Sequence, residues 1–358
     1  MELQEKIEML RSLVEIDTSQ PQNIEVAMGV VRDFVAKKDL FCEPIANSRA
    51  WLIQTEPTKK MKVGFVLHID VVPAMGWEEA FSLVERDGKL YGRGVADDKG
   101  PLVVCLAAIL RLRDELPEHN FGVLVVSDEE STNEDIHEVL GQDAFRPELA
   151  VVVDGGAYDM IDIGEKGTLE LELVFETSGG HSGFEQAGDN AALVARKFLD
   201  ELEKIAENEP VDEDFSRTFV NISRFEAVES PYGMPSRCRL NLELQFPLPQ
   251  TSEWWKEAVL KLAEKYSAKM HVEWANEPHV LTDERILKFL RSLSGVKLET
   301  IGGHGLSKDL DGAGIAAICH CPVDEYSAHC VNENIGVADL DKGEKFYVEL
   351  VKKYVESD

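Results

Sequence analysis

At 358 residues the chain exceeds the usual extent of one hydrophobic core, so two domains are expected, one of them able to sit inside the other. Lys plus Arg number 37 against 67 Asp plus Glu, and the resulting net charge of -30 repels phosphate backbones and anionic lipid heads alike. Nucleic acid and membrane surfaces are therefore excluded as expected partners.

The opening MELQEKIEML begins an amphipathic helix with no basic leader region and no long apolar core. Neither a signal peptide nor a spanning helix is expected, and a cytoplasmic location is. Six cysteines in a chain of this length do not compose a disulfide framework. Helical ELQEKIEMLRSLVEI leads to strand-like KVGFVLHID, helical DKGPLVVCLAAILRLRDEL to FGVLVVSDEE, and a short helical stretch to LAVVVDGG. Such alternation of nearly continuous apolar strands with helices predicts an α/β fold, a mostly parallel sheet covered by helices on both faces.

From about Thr168 the pattern changes. TLELELVF alternates with period two and places Leu169, Leu171, Leu173 and Phe175 on one face of a half-exposed strand. The helix NAALVARKFLDELEKIAEN comes next, then strands near RTFVNISRFEA and RCRLNLELQF, the helix WWKEAVLKLAEKY and the strand HVEWA. That βαββαβ order is the ferredoxin-like unit. The expected architecture is a catalytic domain from residues 1–165 and 279–358, interrupted by an α+β lid and dimerisation domain at 166–278. In the returning segment, AAICHC is expected as a strand with Cys319 and Cys321 on one side and His320 on the other. No second cysteine pair completes a zinc knuckle.

Parallel sheets present ligands at the carboxyl ends of their strands. There the residues are chemically uniform: His68 and Asp70 after GFVL, Asp97 and Asp98 before a covered helix, Asp128, Glu129 and Glu130 after VLVVS, and Asp154 after LAVVV. From His68 to Asp97, Glu130 and Asp154 the successive spacings are 29, 33 and 24 residues, about one strand–helix–strand repeat each. Taken singly, His68 is a satisfied strand-end histidine, Asp97 or Asp98 a helix N-cap, Glu129 and Glu130 the start of a solvated loop, and Asp154 a turn former. Gathered at equivalent strand ends, the carboxylates repel one another and resist desolvation unless a cation joins them. Imidazole and oxygen donors without thiolate suit a divalent metal, and the surplus of carboxylates suits two ions with an aspartate between them.

HIDVVP (68–73), GRGVADDKGP (92–101), SDEES (127–131), VVDGG and SAHCVNE (327–333) resemble, in order and spacing, the two-zinc metallopeptidases and deacylases. That family includes aminoacylase, acetylornithine deacetylase, succinyl-diaminopimelate desuccinylase, carnosinase and bacterial dipeptidases. The resemblance implies a zinc-exopeptidase-like fold and two divalent ions, Zn2+ with Co2+ or Mn2+ as alternatives. It implies Asp97 between the ions, His68 and Asp154 on one, Glu130 and His329 on the other, and a cis peptide joining Asp97 to Asp98. Asp70 would orient His68 through its other ring nitrogen, and Glu129 would act as general base. His181, in SGGHSG, is similar to a histidine that reaches the substrate carbonyl from a partner subunit's lid, which implies a homodimer and a closing motion.

Within that resemblance Asp154 and DDKGP favour a dipeptidase or exopeptidase acting on small peptides over an N-acyl-amino-acid deacylase. LNLELQFPL carries Gln245 where many members hold an arginine that clamps a substrate carboxylate, with Arg237 and Arg239 as possible substitutes. Asn221 in FVNIS resembles a lid asparagine that contacts substrate, and GGHGLSKD (302–309), with its His304, takes the place of a glycine-rich substrate loop. A non-catalytic binding protein on the same fold is the remaining alternative, disfavoured because all five implied ligands and the implied base are present.

Overall fold

The computed structural model describes residues 1–45, 49–155, 157–184, 188–209, 217–227, 232–301, 305–323 and 327–357. They form two compact units, the first built from Met1–Ile163, Leu281–Leu298 and Gly305–Asp358, the second from Gly164–Val280 and Glu299–His304.

The first unit is organised by a sheet whose centre is parallel. Met61–His68 pairs in parallel with both Asn120–Val126 and Leu149–Val152, and Ala317–Cys319 adds in parallel beyond Leu149–Val152. The hairpin Phe41–Pro44 and Trp51–Gln54 extends the other edge antiparallel, a feature the alternating helix and strand signals do not reveal.

Every residue of Met61–His68 and of Asn120–Val126 is buried. The two faces serve different cores. Val63, Phe65, Leu67, Phe121, Val123 and Val125 pack with the helices Leu3–Val14, Ile24–Lys37, Lys99–Glu115 and Asp339–Glu356. Met61, Val66, Leu124 and Val126 instead join Ile136 and Val139 of the helix Glu134–Gly141 and Leu310 of the helix Ser307–Gly312. The doubly covered sheet expected from continuous apolar strands is thus present, and each fully buried aliphatic side chain in it contributes about 1.5–3 kcal/mol.

Strand Ala317–Cys319 ends before the predicted alternation can operate on Cys321. Cys319 lies in one core and Cys321 in the other, so the two cysteines do not share a side, contrary to the expectation for AAICHC. His320 is wholly buried, with Nε2 3.0 Å from the Tyr158 carbonyl and its ring stacked on Phe346 at 4.2 Å. Burial pushes this imidazole down to about 4, so it is a neutral core histidine.

A small antiparallel sheet, Val84–Arg86, Lys89–Tyr91 and Asn334–Gly336, joins segments some 240 residues apart in sequence. The chain immediately after Tyr91 and immediately before Asn334 supplies two loops of the site.

In the second unit the sheet order is Phe219–Glu226, Arg237–Phe246, Gly167–Glu176, Ala268–Ala275, the ferredoxin-like arrangement. Leu169, Leu171, Leu173 and Phe175 face the helices Ala191–Asn208 and Ser252–Lys265 together with Leu240, Leu242, Leu244 and Phe246. Asn190 and Thr251 cap these helices through their side-chain oxygens.

Candidate active site

Register assembles the site in the first unit. His68 lies opposite Val126, and Val66 lies opposite Val152, so the residues just beyond each strand emerge at one sheet edge. His68 is 2 % exposed, with Nε2 2.8 Å from Asp97 Oδ1. The other oxygen of Asp97, Oδ2, is 2.9 Å from His329 Nε2, which also lies 3.0 Å from Glu130 Oε1. One aspartate therefore joins two imidazoles, one on each oxygen, and the second imidazole continues to Glu130. Donor atoms of His68, Asp97 and Glu130 all lie within 4.8 Å of one another.

Asp70 and Asp98 approach from behind. The Nδ1 of His68 is 2.9 Å from the Asp70 main-chain carbonyl and 3.5 Å from its carboxylate Oδ1. The backbone carbonyl is thus the nearer anchor of the ring. The other carboxylate oxygen of Asp70 accepts from the Glu130 amide at 3.1 Å. Asp98, wholly buried, accepts from the His68 amide at 3.3 Å. It occupies the N-cap position of the helix Lys99–Glu115 without making a side-chain cap, so ordinary helix capping does not explain its carboxylate. The Asp97–Asp98 peptide is cis.

Of the three acids that end the strand Asn120–Val126, only two stay near the cluster. Asp128 turns away: its carboxylate accepts from the Thr132 hydroxyl at 2.6 Å and from the Glu134 amide at 2.7 Å, capping the next helix. Glu129 feels Asp154, Glu130 and Asp97 as neighbouring charges, and Asp154 also raises the pKa of Asp98. Those couplings put Asp154 at the same rim.

The electrostatics arise from that crowding. Burial, with repulsion from Asp154, Glu130 and Asp97, pushes Glu129 up to about 8 against the opposing pull of His68. Hydrogen bonds to Asp97 and Glu130 raise His329 to about 10. Burial disfavours the charged ring of His68, yet the carboxylates of Asp70 and Asp97 outweigh it and hold its pKa well above the ordinary histidine value. Asp97 resists burial because both imidazoles stabilise its anion, and its pKa falls well below the usual carboxylate range. Protons on two imidazoles and on Glu129 thus neutralise a set of oxygens that a divalent cation would neutralise directly. The donor set fits such an ion: imidazole nitrogens and carboxylate oxygens without thiolate, with buried oxygens of Asp70 and Asp98 lacking hydrogen-bond partners beside them.

Glu333 and the glycines of the Asp97 loop escaped the sequence reading. Glu333, 0 % exposed, accepts from Arg93 at 2.7 Å and from the amides of Gly94, Ala96 and Asp97 at 3.1, 2.9 and 3.2 Å. Its position at the end of SAHCVNE was the available signal, but nothing local to it reveals a partner 240 residues earlier. Gly94 and Gly100 make the tight Asp97 loop possible. Gly94 has φ +87, and a Cβ on Gly100 would lie 2.0 Å from the Val95 carbonyl oxygen.

The remaining predicted residues lie in the second unit. His181 is exposed on the two-residue strand Gly180–His181, and its Nδ1 accepts from the Gly183 amide at 3.0 Å. The ring proton therefore resides on Nε2. Asn221 donates to Glu243 Oε2 at 3.2 Å, and Gln245 donates to the other oxygen of Glu243 at 2.7 Å. Arg237 and Arg239 share the open face with Gln245, alternating with buried neighbours. At the ordinary strand rise, however, Arg239 is about 20 Å from Gln245 and Arg237 is farther, so neither takes its place. Gly156 and the Gly302–His304 part of the glycine-rich segment fall outside the described residues.

The profile of peptidase family M20/M25/M40 matches residues 64–353. The succinyl-diaminopimelate desuccinylase of Coxiella burnetii is 25 % identical over 368 residues, covering 95 % of this chain and 96 % of its own length. Human carnosine dipeptidase 1 superposes with a TM-score of 0.73 at 18 % identity, over 99 % of this chain and 96 % of that one. A tripeptidase from Staphylococcus aureus gives 0.75 at 16 %, over 99 % of both chains. At those identities the structural likeness speaks to the fold.

Proposed function

The chain belongs to peptidase family M20/M25/M40 and is a metal-dependent amide-bond hydrolase, and from that premise we propose that it cleaves dipeptides or short peptides as an exopeptidase at the Asp97 cluster. The observation that carries the site assignment is the Asp97 carboxylate joining His68 to His329 and Glu130. His68, Asp97 and Asp154 would hold one divalent ion, and Asp97, Glu130 and His329 a second, with zinc the first choice and cobalt or manganese as alternatives. Bound there, such ions supply Lewis acidity, acidifying water and polarising a carbonyl.

The protein's own groups do the rest. Asp70 and its carbonyl fix the His68 ring with Nε2 towards Asp97. Glu129, beside the ligands but with no assigned ligand role, takes the proton of the attacking water and delivers it to the departing amine. His181 donates a hydrogen bond from Nε2–H to the substrate carbonyl oxygen, stabilising the tetrahedral oxyanion. That role brings the histidine from the lid of a second copy and makes the enzyme a homodimer, with residues 166–278 as lid and dimerisation domain. Asn221 contributes a substrate contact. No helix among the described residues is long and apolar enough to cross a membrane. A cytoplasmic location is part of the proposal, and the charge of -30 supports an enzyme without nucleic-acid or anionic-membrane partners.

A second reading, removal of an acyl group from an N-acyl amino acid, is favoured by the full-length match to the desuccinylase. Asp154 at the ligand position supports the peptide. Initial rates on unblocked dipeptides and tripeptides beside N-acetyl and N-succinyl amino acids separate the two. Turnover of the unblocked peptides is expected, and turnover of acylated substrates alone would reverse the assignment.

A further inference from the structure

The two loops that carry Asp97 and His329 leave one small sheet at neighbouring positions. Asn334 pairs with Tyr91, and the next residue along the first segment, Gly92, donates its amide to the Glu333 carbonyl at 3.2 Å. From there residues 92–97 and, in the opposite direction, residues 333–329 run to the cluster. The side chain of Glu333 lies between them. Its two oxygens accept from Gly94, Ala96 and Asp97 amides and from Arg93, which is itself 1 % exposed and reaches the Pro73 carbonyl at 3.3 Å. The Ser327 hydroxyl closes the base of the His329 loop by donating to the Asn334 carbonyl at 2.9 Å and accepting its amide at 3.0 Å.

We propose that the buried Glu333–Arg93 pair is a positioning clamp that fixes the Asp97 loop against the His329 loop and so sets the separation of the two donors. Burying an ion pair is costly in desolvation, and here the carboxylate is compensated by four donors, three of them main-chain amides of the ligand loop. A carboxylate can accept from all of them. A glutamine of the same shape cannot, because its NH2 would face a donor. The expected effect on metal affinity rests on the assignment of the Asp97 cluster as a metal site, but the loop-fixing role does not.

The test is Glu333→Gln, compared with wild type in amide exchange, ion affinity and melting temperature. In the ion-free protein, hydrogen–deuterium exchange is expected to accelerate at least tenfold in both 92–98 and 327–334, with the helix Lys99–Glu115 unchanged. Equilibrium dialysis against Co2+ is expected to show affinity weakened about 10- to 100-fold, the usual cost of losing a group that orients metal ligands. Arg93→Lys, which retains the charge but loses the guanidinium fork, is expected to give the same pattern in weaker form, and it answers the question should Glu333→Gln fail to fold. Equal affinity with unaltered exchange in both segments would overturn the clamp while leaving the metal assignment intact. Lowered melting temperature with unchanged Co2+ affinity would also overturn it, reducing the pair to a structural role. Faster exchange in both loops of a protein whose wild type takes up no ion would support the clamp and refute the metal assignment instead.

Discussion

Loading the cluster with metal should release protons, and the structure sets their number. In the ion-free protein His329 holds its proton up to about 10 and His68 well above the ordinary histidine value, while Glu129 titrates at about 8. An imidazole must be neutral to ligate, so about two ring protons leave at pH 7, and about one more as Glu129 ionises beside the cations. For His329 the gap between about 10 and pH 7 favours the protonated ring about 10³-fold. Its side chain is 56 % exposed, and solvent screening trims that penalty to the order of 10². Apparent affinity should therefore rise with pH, about tenfold per unit for each proton displaced, between pH 6 and 8. Titration calorimetry of chelator-treated protein in buffers of different ionisation enthalpy counts the protons directly. Release of less than about one proton, or affinity independent of pH, would refute the reasoning that imidazolium charge stands in for the cation.

Glu129→Gln should lower kcat by about 10²–10⁴ while metal content by elemental analysis stays at the wild-type level, and undiminished turnover would remove Glu129 as the base. His181→Ala should lower kcat/KM by about 10²–10³, the usual cost of losing one oxyanion donor, with metal affinity unchanged by dialysis. Gly100→Ala should destabilise the ion-free protein by about 3 kcal/mol in urea, since the added Cβ meets main-chain oxygen that cannot rotate away.

The sequence by itself determined the strand-end chemistry, because parallel strands present their succeeding residues at one common edge and the periodicity of apolar runs is local. His68, Glu130 and Asp154 follow the parallel strands Met61–His68, Asn120–Val126 and Leu149–Val152, so their gathering is written into the order of strands. Asp97, by contrast, comes from the loop after Tyr91 with no helix between it and His68, so its spacing of 29 residues is not a strand–helix–strand repeat. The same local alternation in TLELELVF fixed the buried face of the second unit, where Leu169 to Phe175 pack as expected. Other decisions depended on partners remote in sequence. Tertiary structure sent Asp128 to cap a helix and left Glu129 with the cluster, since only the folded loop shows which amides lack an acceptor. It also ended the strand at Cys319, which separated Cys319 from Cys321. Above all it set Glu333 against Arg93 across some 240 residues, through a small sheet whose three-residue strands are too short to carry a periodic signal. Pairing at that range is selected by the free energy of the assembled whole, in which a buried carboxylate must find its donors, and no window of sequence contains both halves.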